Sequence, residues 1–511
     1  MFLLFNQTLI SQHQNILISN LNDAEEPTIA INPYDTDKII AGANINNVYY
    51  SMDGGLSWQI STLSSQYGVW GDPCVIVDTA GDYYFFHLAN LVPLGGNWID
   101  RIVCQKSQDG GISWTDGNYM GLNGSKAQDK EWASVDRNSN NIFVTWTEFD
   151  NYSSTAAQDS SRILFSLSHD GGASWLDPPI KINQISGDCV DSDNTVEGAV
   201  PAIGPNGEIY VGWVGPAGIV FDKSLDTGNT WLENDIFVSD IPGGWDFSVP
   251  GISRCNGLPV TLCDTSGGQF NGNIYINWSD QRNGTDNTDI WLAKSTDGGN
   301  SWSAPIKIND DTTISHQFFT WMAIDQTNGN LYFVFYDRRN YSDNQTDVYM
   351  AFSSDGGNSF ENFKISESPF LPNQNIFFGD YTNISAYNNI IRPIWTRLDN
   401  SQLSIWTAIV DTDSMVSGIT ENKKFNMQQN FPNPFIEETF FSFKLTKPSN
   451  INLKVYDILG HEIATIVNNK YYATGIYIES FNSKTFGLAK GVYYFVLSSN
   501  NKTIRKKMIV Q

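Results

Sequence analysis

The 511-residue sequence predicts an all-β protein, a β-propeller followed by a small β-sandwich. Three observations predict it: an octapeptide that recurs six times, a fixed order of short apolar segments around each copy, and a change of charge near residue 420. The copies are SMDGGLSW (51–58), SQDGGISW (107–114), SHDGGASW (168–175), SLDTGNTW (224–231), STDGGNSW (295–302) and SSDGGNSF (353–360).

Each copy fits S-x-D-x-G-x-[ST]-[WF], the chemistry of a tight hairpin turn. Its aspartate (Asp53, Asp109, Asp170, Asp226, Asp297 or Asp355) accepts hydrogen bonds from backbone N–H groups. Glycine supplies positive φ, Ser or Thr adds a second local bond, and the closing aromatic folds back as an apolar plug. These six aspartates are therefore read as structural.

Upstream of the copies the order repeats. An apolar segment comes first, as in PTIAIN (27–32), PCVIVD (73–78) and WMAID (321–325). After a short turn comes a second strand, as in IFVTW (142–146), IYVGW (209–213) and IYINW (274–278). A third strand runs into the octapeptide and a fourth leaves it. Four short antiparallel strands per unit make a propeller blade. A seventh unit (381–410) has three strands and no octapeptide. QNILISN (14–20) can supply its fourth strand, pairing with 404–410 to close the ring and remove both edges. The expectation is seven blades over residues 1–410, with six as the alternative.

Residues 411–428 are polar and pattern-free and read as a linker. From QNFPNPF (429–435) to the end, alternating segments with turn residues between them form a β-sandwich over 429–511.

The octapeptides resemble the Asp-box (BNR) repeats of the sialidase-like propeller superfamily over roughly residues 14–410. NFPNPF, VYDILGHEI and LAKGVYYFVL…KKMIV resemble the type A C-terminal sorting domain of the type IX secretion system. That resemblance implies a Gram-negative, Bacteroidetes-like cell, handling by the type IX machinery, and a secreted or outer-surface location. It also implies an N-terminal signal peptide. MFLLFNQTLISQ lacks a basic start and a full apolar stretch, so the sequence is read as an incomplete or mis-started gene product.

Net charge is −25, and the acidic residues are concentrated in the propeller. Such a body repels phosphate, which excludes nucleic acid and anionic lipid as partners. No apolar run is long enough to span a bilayer. A monomer is expected, with an extracellular glycan or a surface protein as partner. Five cysteines leave at least one unpaired; Cys255 with Cys263 closes a short loop, Cys189 competes as partner, and reduced thiols stand as the equal alternative.

Alternating strand direction puts the octapeptides on one face with the short turns, and the long loops on the other, where recognition belongs. The inner strands start on that long-loop face with Glu26, Asp72, Glu131, Glu197 and Asp380, accompanied by Trp70, Trp132, Trp245 and Trp321. Carboxylates beside indole faces suit sugars, and two suitably spaced carboxylates suffice for glycoside hydrolysis. Asp72, Glu131, Glu197 and Asp380 are the catalytic candidates. Glu148, Asp280, Arg282, Asp337, Arg338, Arg339 and Arg397 end the second strands, either as further ligand contacts or as ion pairs tying down loops. Asp188, Asp191 and Asp193 have the oxygen density for a structural Ca²⁺ without EF-hand spacing. No other cofactor is expected.

The sialidase resemblance implies an Arg-Ile-Pro segment on an early inner strand and an arginine triad. The corresponding strand here, EEPTIAIN, has no arginine, and Arg282, Arg338 and Arg397 would form a different layout. Three functions remain open: a secreted propeller that binds extracellular glycans, with or without hydrolysing them, an exo-sialidase-type hydrolase, and a non-catalytic adhesion module.

Overall fold

The computed structural model describes residues 13–90, 99–410, 425–427, 429–445, 448–457, 460–499 and 502–511. Between residues 14 and 409 it contains seven four-stranded antiparallel sheets. Six follow chain order, spanning 28–62, 74–120, 127–181, 197–239, 260–307 and 317–364, and are here blades 1 to 6. Blade 7 combines Asn383–Tyr387, Ile390–Asp399 and Gln402–Ile409 with the N-terminal strand Gln14–Ser19, which pairs antiparallel with Gln402–Ile409. The first strand of each blade touches the first strands of its two neighbours, and Thr28–Ile31 touches Asn383–Tyr387, so the ring closes.

The second strands are buried along their whole length in blades 2 to 5. Trp146, Trp213 and Trp278 lie fully buried on these strands and fill the spaces between blades, and Phe335 and Trp395 take the same role on the second strands of blades 6 and 7. Burying a side chain of this size contributes roughly 1.5–3 kcal/mol or more from apolar area alone.

The octapeptide is the clasp between blades. In the first copy Asp53 Oδ1 accepts from Ser57 N (2.9 Å) and Ser51 Oγ (2.8 Å), and Oδ2 accepts from Ser57 Oγ (2.6 Å). Ser51 Oγ in turn accepts from Gly55 N at 2.8 Å. Asp109, Asp170, Asp226, Asp297 and Asp355 bind the matching Ser or Thr in the same way. The closing aromatics of blades 3, 4 and 5 reach the preceding blade: Trp175 meets Phe86, Trp231 meets Phe165 and Trp302 meets Phe221. Gly228 is required twice over. Its φ is +83°, and a Cβ there would lie 2.4 Å from the Phe165 ring of blade 3.

All five cysteines are free and buried, so the expected Cys255–Cys263 bridge is absent. The two residues sit on separate strands, Cys255–Asn256 pairing with Asp246–Phe247 and Val260–Cys263 with Ile274–Asp280. Their short sequence separation does not bring the sulfurs together.

The C-terminal unit is a sandwich. One sheet holds Ser449–Tyr456, Glu462–Tyr472, Gly491–Ser499 and Lys502–Val510, and the other Phe425–Met427, Glu438–Leu445 and Gly475–Asn482. Phe441, Phe443, Leu453, Val455 and Phe495 share its core. Phe425–Met427, in the segment read as linker, pairs with Glu438–Leu445; residues 411–424 lie outside the described residues. No helix among the described residues is long and apolar enough to cross a membrane.

Candidate functional site

Several inner strands enter the long-loop face through a bulge. Register breaks fall between Asp129 and Trp132, between Glu197 and Val200, and between Phe318 and Trp321. Three strand entries hold a charged residue at positive φ: Glu26 (53°), Asp72 (50°) and Lys130 (54°). A left-handed conformation costs an ordinary residue roughly 1–2 kcal/mol, and such outliers point to function when the surroundings enforce them. Here the three side chains meet.

Lys130 Nζ lies 2.9 Å from Asp380 Oδ2 and 3.4 Å from Asp72 Oδ2, linking blades 3, 7 and 2. Arg254, beside the two-stranded ribbon of the loop between blades 4 and 5, reaches the same Asp380 through Nε (2.9 Å) and Nη2. Its Nη1 is 3.5 Å from Asp191, which also accepts from Tyr152 OH at 2.5 Å. Asn44 completes the ring, donating to Glu26 Oε2 (2.5 Å) and accepting from Asp72 N (2.7 Å). Asp380 N donates to Glu26 Oε1 at 3.0 Å.

These groups surround a cavity of about 240 Å³, walled by Glu26, Trp70, Asp72, Asp129, Lys130 and Arg254, with Tyr152 and Phe377 at its side. Protonation divides its carboxyls. Burial opposes ionisation of Asp380, but Lys130 and Arg254 outweigh it and hold the group at about 2. Asp72 is likewise held below its ordinary value: burial is outweighed by Lys130 and by hydrogen bonds from Glu26 and Asp129. Burial, then the charge of Asp72, keeps Glu26 protonated well above the usual range. Asp129 is pushed up to about 8 by burial, against the pull of Lys130.

Outside the cavity lining, the inner strands carry an aromatic cluster. Trp132 packs against Trp321 (ring centroids 4.5 Å apart) and Tyr381 (5.0 Å). These rings lie inside the channel and do not form an exposed platform. Beyond them a separate hollow of about 460 Å³ is lined by later inner-strand residues and by Asp136, Arg137 and Asn138 of a short turn, on the octapeptide face. Glu131 and Glu197 are buried, and burial first, then the charge of Asp72 or Asp191, holds their carboxyls well above the usual carboxylate range. Among the described residues, both Glu131 oxygens are buried without a hydrogen-bond partner.

The remaining sequence candidates are placed elsewhere. Trp245 is buried in the packing of blades 4 and 5. Glu148 pairs with Lys126 and Arg162. Asp280 pairs with Arg282, and Asp337 with Arg339, each within its own blade. Arg338 donates to Thr346 and Pro250, and Arg397 to Asp399 and Ser368. Arg282, Arg338 and Arg397 thus make no shared cluster, and none borders the cavity. Asp193 Oδ1 accepts from Asp246 N and Asp188 Oδ1 from Val190 N. Among the described residues no group of three or more His, Cys, Asp or Glu side chains is arranged to hold a metal.

Residues 429–511 match the family described as the secretion system C-terminal sorting domain. The tail is a secretion sorting domain. In the sorting domain the NFPNPF segment is pinned by Asn430, which donates to Thr439 Oγ1 (2.9 Å), and by Thr439, which donates to Pro432 O (2.7 Å). A chain carrying a sorting domain of this kind is a secreted or cell-surface protein. No curated protein sequence is similar to this chain. Among solved structures, a Hadza microbial sialidase is similar at 14% identity, covering 74% of each chain with a TM-score of 0.42. An α-L-arabinofuranosidase from Fusarium graminearum is similar at 11% identity, covering 80% of this chain and 99% of that one, TM-score 0.42. An ulvan lyase of a polysaccharide lyase family is similar at 12%, covering 77% and 95%, TM-score 0.48. The propeller architecture rests on the strand pairing itself.

Lys130, Arg254, Asn44, Asp129 and Tyr152 had not been singled out from the sequence. Lys130 and Asp129 immediately precede Glu131, and at the strand-entry bulge these two, and not Glu131, line the cavity. Arg254 carries no local signal, because its partners are 63 and 126 positions away.

Proposed function

We propose that the propeller binds an extracellular glycan in the cavity between Trp70, Asp72, Asp129 and Arg254. The observation that carries this is the cavity itself: an indole wall and paired carboxyls held by cations, on the long-loop face of a secreted or surface protein. At about 240 Å³ it falls below the roughly 300–1,000 Å³ of larger ligand pockets, which suits one sugar unit. Trp70 offers its ring to C–H bonds, and Asp72 and Arg254 offer an acceptor and donors to hydroxyls.

A second reading, glycoside hydrolysis, draws on the protonation split, since Asp129 holds a proton beside ionised Asp72. These two carboxyls touch, whereas hydrolases hold acid and nucleophile about 5–10 Å apart. Binding therefore stands first, with Asp129 as the proton donor in any cleavage. An exo-sialidase reading has no support from Arg282, Arg338 and Arg397.

The test is a glycan array probed with the full chain, then with Asp72→Asn and Trp70→Ala. Retention of one glycan class by the wild type and its loss in both variants is expected. Equal retention by all three proteins, or retention by none, overturns the reading.

A further inference from the structure

Beside the cavity, the long-loop face holds two adjoining clefts of about 560 and 530 Å³. One opens between Asn344, Leu371, Asn373 and Asn400; the other lies between Ser248, Ser253 and Thr285. Gln374 and Asn375 belong to both. Among the described residues no charged side chain lines either cleft, although the chain carries 55 acidic and 30 basic residues. The same loop continues to Phe377, which borders the carboxyl cavity and lies under the Arg254 guanidinium at 5.5 Å. Phe377 lies three positions after Gln374, at most about 11 Å along the chain.

We infer that these clefts are a subsite for the uncharged continuation of a polysaccharide whose terminal or reacting unit occupies the cavity. The inference rests on the glycan reading above and adds to it the class of the chain. Carboxamides present a donor and an acceptor side by side, matching hydroxyls, which are both. Asn375 N and Nδ2 both donate to Asn373 Oδ1 (3.0 and 3.2 Å), so the turn is set before any ligand arrives. Leu371, 56% exposed, gives the face of a sugar ring an apolar surface. A peptide would seek an unpaired strand edge, and the clefts are walled by loops and by Leu398, whose strand is paired on both sides.

The probes are cello-, laminari-, manno- and xylo-oligosaccharides from single sugars to hexasaccharides, with galacturonate oligomers as the charged comparison. They are titrated calorimetrically against the full chain, Gln374→Ala, the triple variant Asn373→Ala/Gln374→Ala/Asn375→Ala, and Asp72→Asn. Thermal unfolding checks that each variant folds. A neutral series should gain about tenfold or more in affinity between disaccharide and hexasaccharide. The Gln374→Ala and triple variants should lose that gain while keeping short-sugar affinity, and Asp72→Asn should weaken every length. Loss in Asp72→Asn with wild-type hexasaccharide affinity in both cleft variants overturns the subsite and leaves the cavity reading intact. A preference for galacturonate that depends on Gln374 overturns the uncharged class. No binding by the wild type overturns both.

Discussion

Lys130 Nζ and Asp380 Oδ2 stand 2.9 Å apart at the mouth of the channel, joining blade 3 to blade 7 across 250 positions of sequence. Asp72 and Arg254 bind to the same pair, so charges from the inner edges of blades 2, 3 and 7 and from the loop before blade 5 neutralise one another there. A cluster this enclosed is costly to break at one member, because the charges left behind are stranded.

Lys130→Met should accordingly destabilise the propeller by about 3–5 kcal/mol, the usual cost of removing one partner from a buried pair. Urea unfolding of the full chain measures this. A change below about 1 kcal/mol would show that solvent already screens the cluster.

Asp380 and Asp129 impose opposite pH dependences. Asp380 titrates at about 2 in the fold, below its ordinary value, so its contribution is present above pH 4 and is lost as pH falls towards 2. Asp129 titrates at about 8, above its ordinary value. Its contribution is therefore complete below pH 4 and fades as pH rises through 8. Stability measured against pH should fall at both ends, and Asp129→Asn should flatten only the decline between about pH 4 and 8. An unchanged profile in that variant would remove Asp129 as the titrating group.

Asp53→Ala removes the acceptor of three described turn bonds. Loss of about 1–2 kcal/mol is expected in thermal unfolding, with glycan affinity unchanged because this turn lies on the face opposite the cavity. Weakened binding by a fully folded variant contradicts that placement.

Gly228→Ala should cost more than Asp53→Ala, about 2 kcal/mol or above. It adds both a strained φ and a methyl group driven into Phe165. A smaller loss would mean that blades 3 and 4 can slide apart locally.

Deleting residues through Ser19 uncovers the edge of Gln402–Ile409 and removes the strand that closes the ring. Light scattering should show association, and the melting temperature should fall. A monomer of unchanged stability would mean that the ring does not need this strand.

Much of the fold was legible because its signals are local and repeated. The octapeptide carries its own hydrogen-bond partners within seven residues, as Ser51, Asp53 and Ser57 show, so six copies define the turns and the strand register between them. The missing fourth strand of the seventh unit pointed to residues 14–20, and Gln14–Ser19 does pair there. The NFPNPF segment and the alternation after it likewise marked the sorting domain. The site was legible only in part. Glu26, Asp72 and Asp380 were visible as acidic strand starts, but their neighbours Lys130 and Arg254 were not. Trp132 and Trp321 resembled a sugar platform until ring closure drove them against Tyr381 inside the channel. Sequence patterning determined the turns, the blades and the tail, because each is specified by residues close together along the chain. Tertiary structure alone decided which charges meet and which keep their protons, because that depends on the bulges and left-handed residues at particular strand entries and on burial shared among blades hundreds of residues apart.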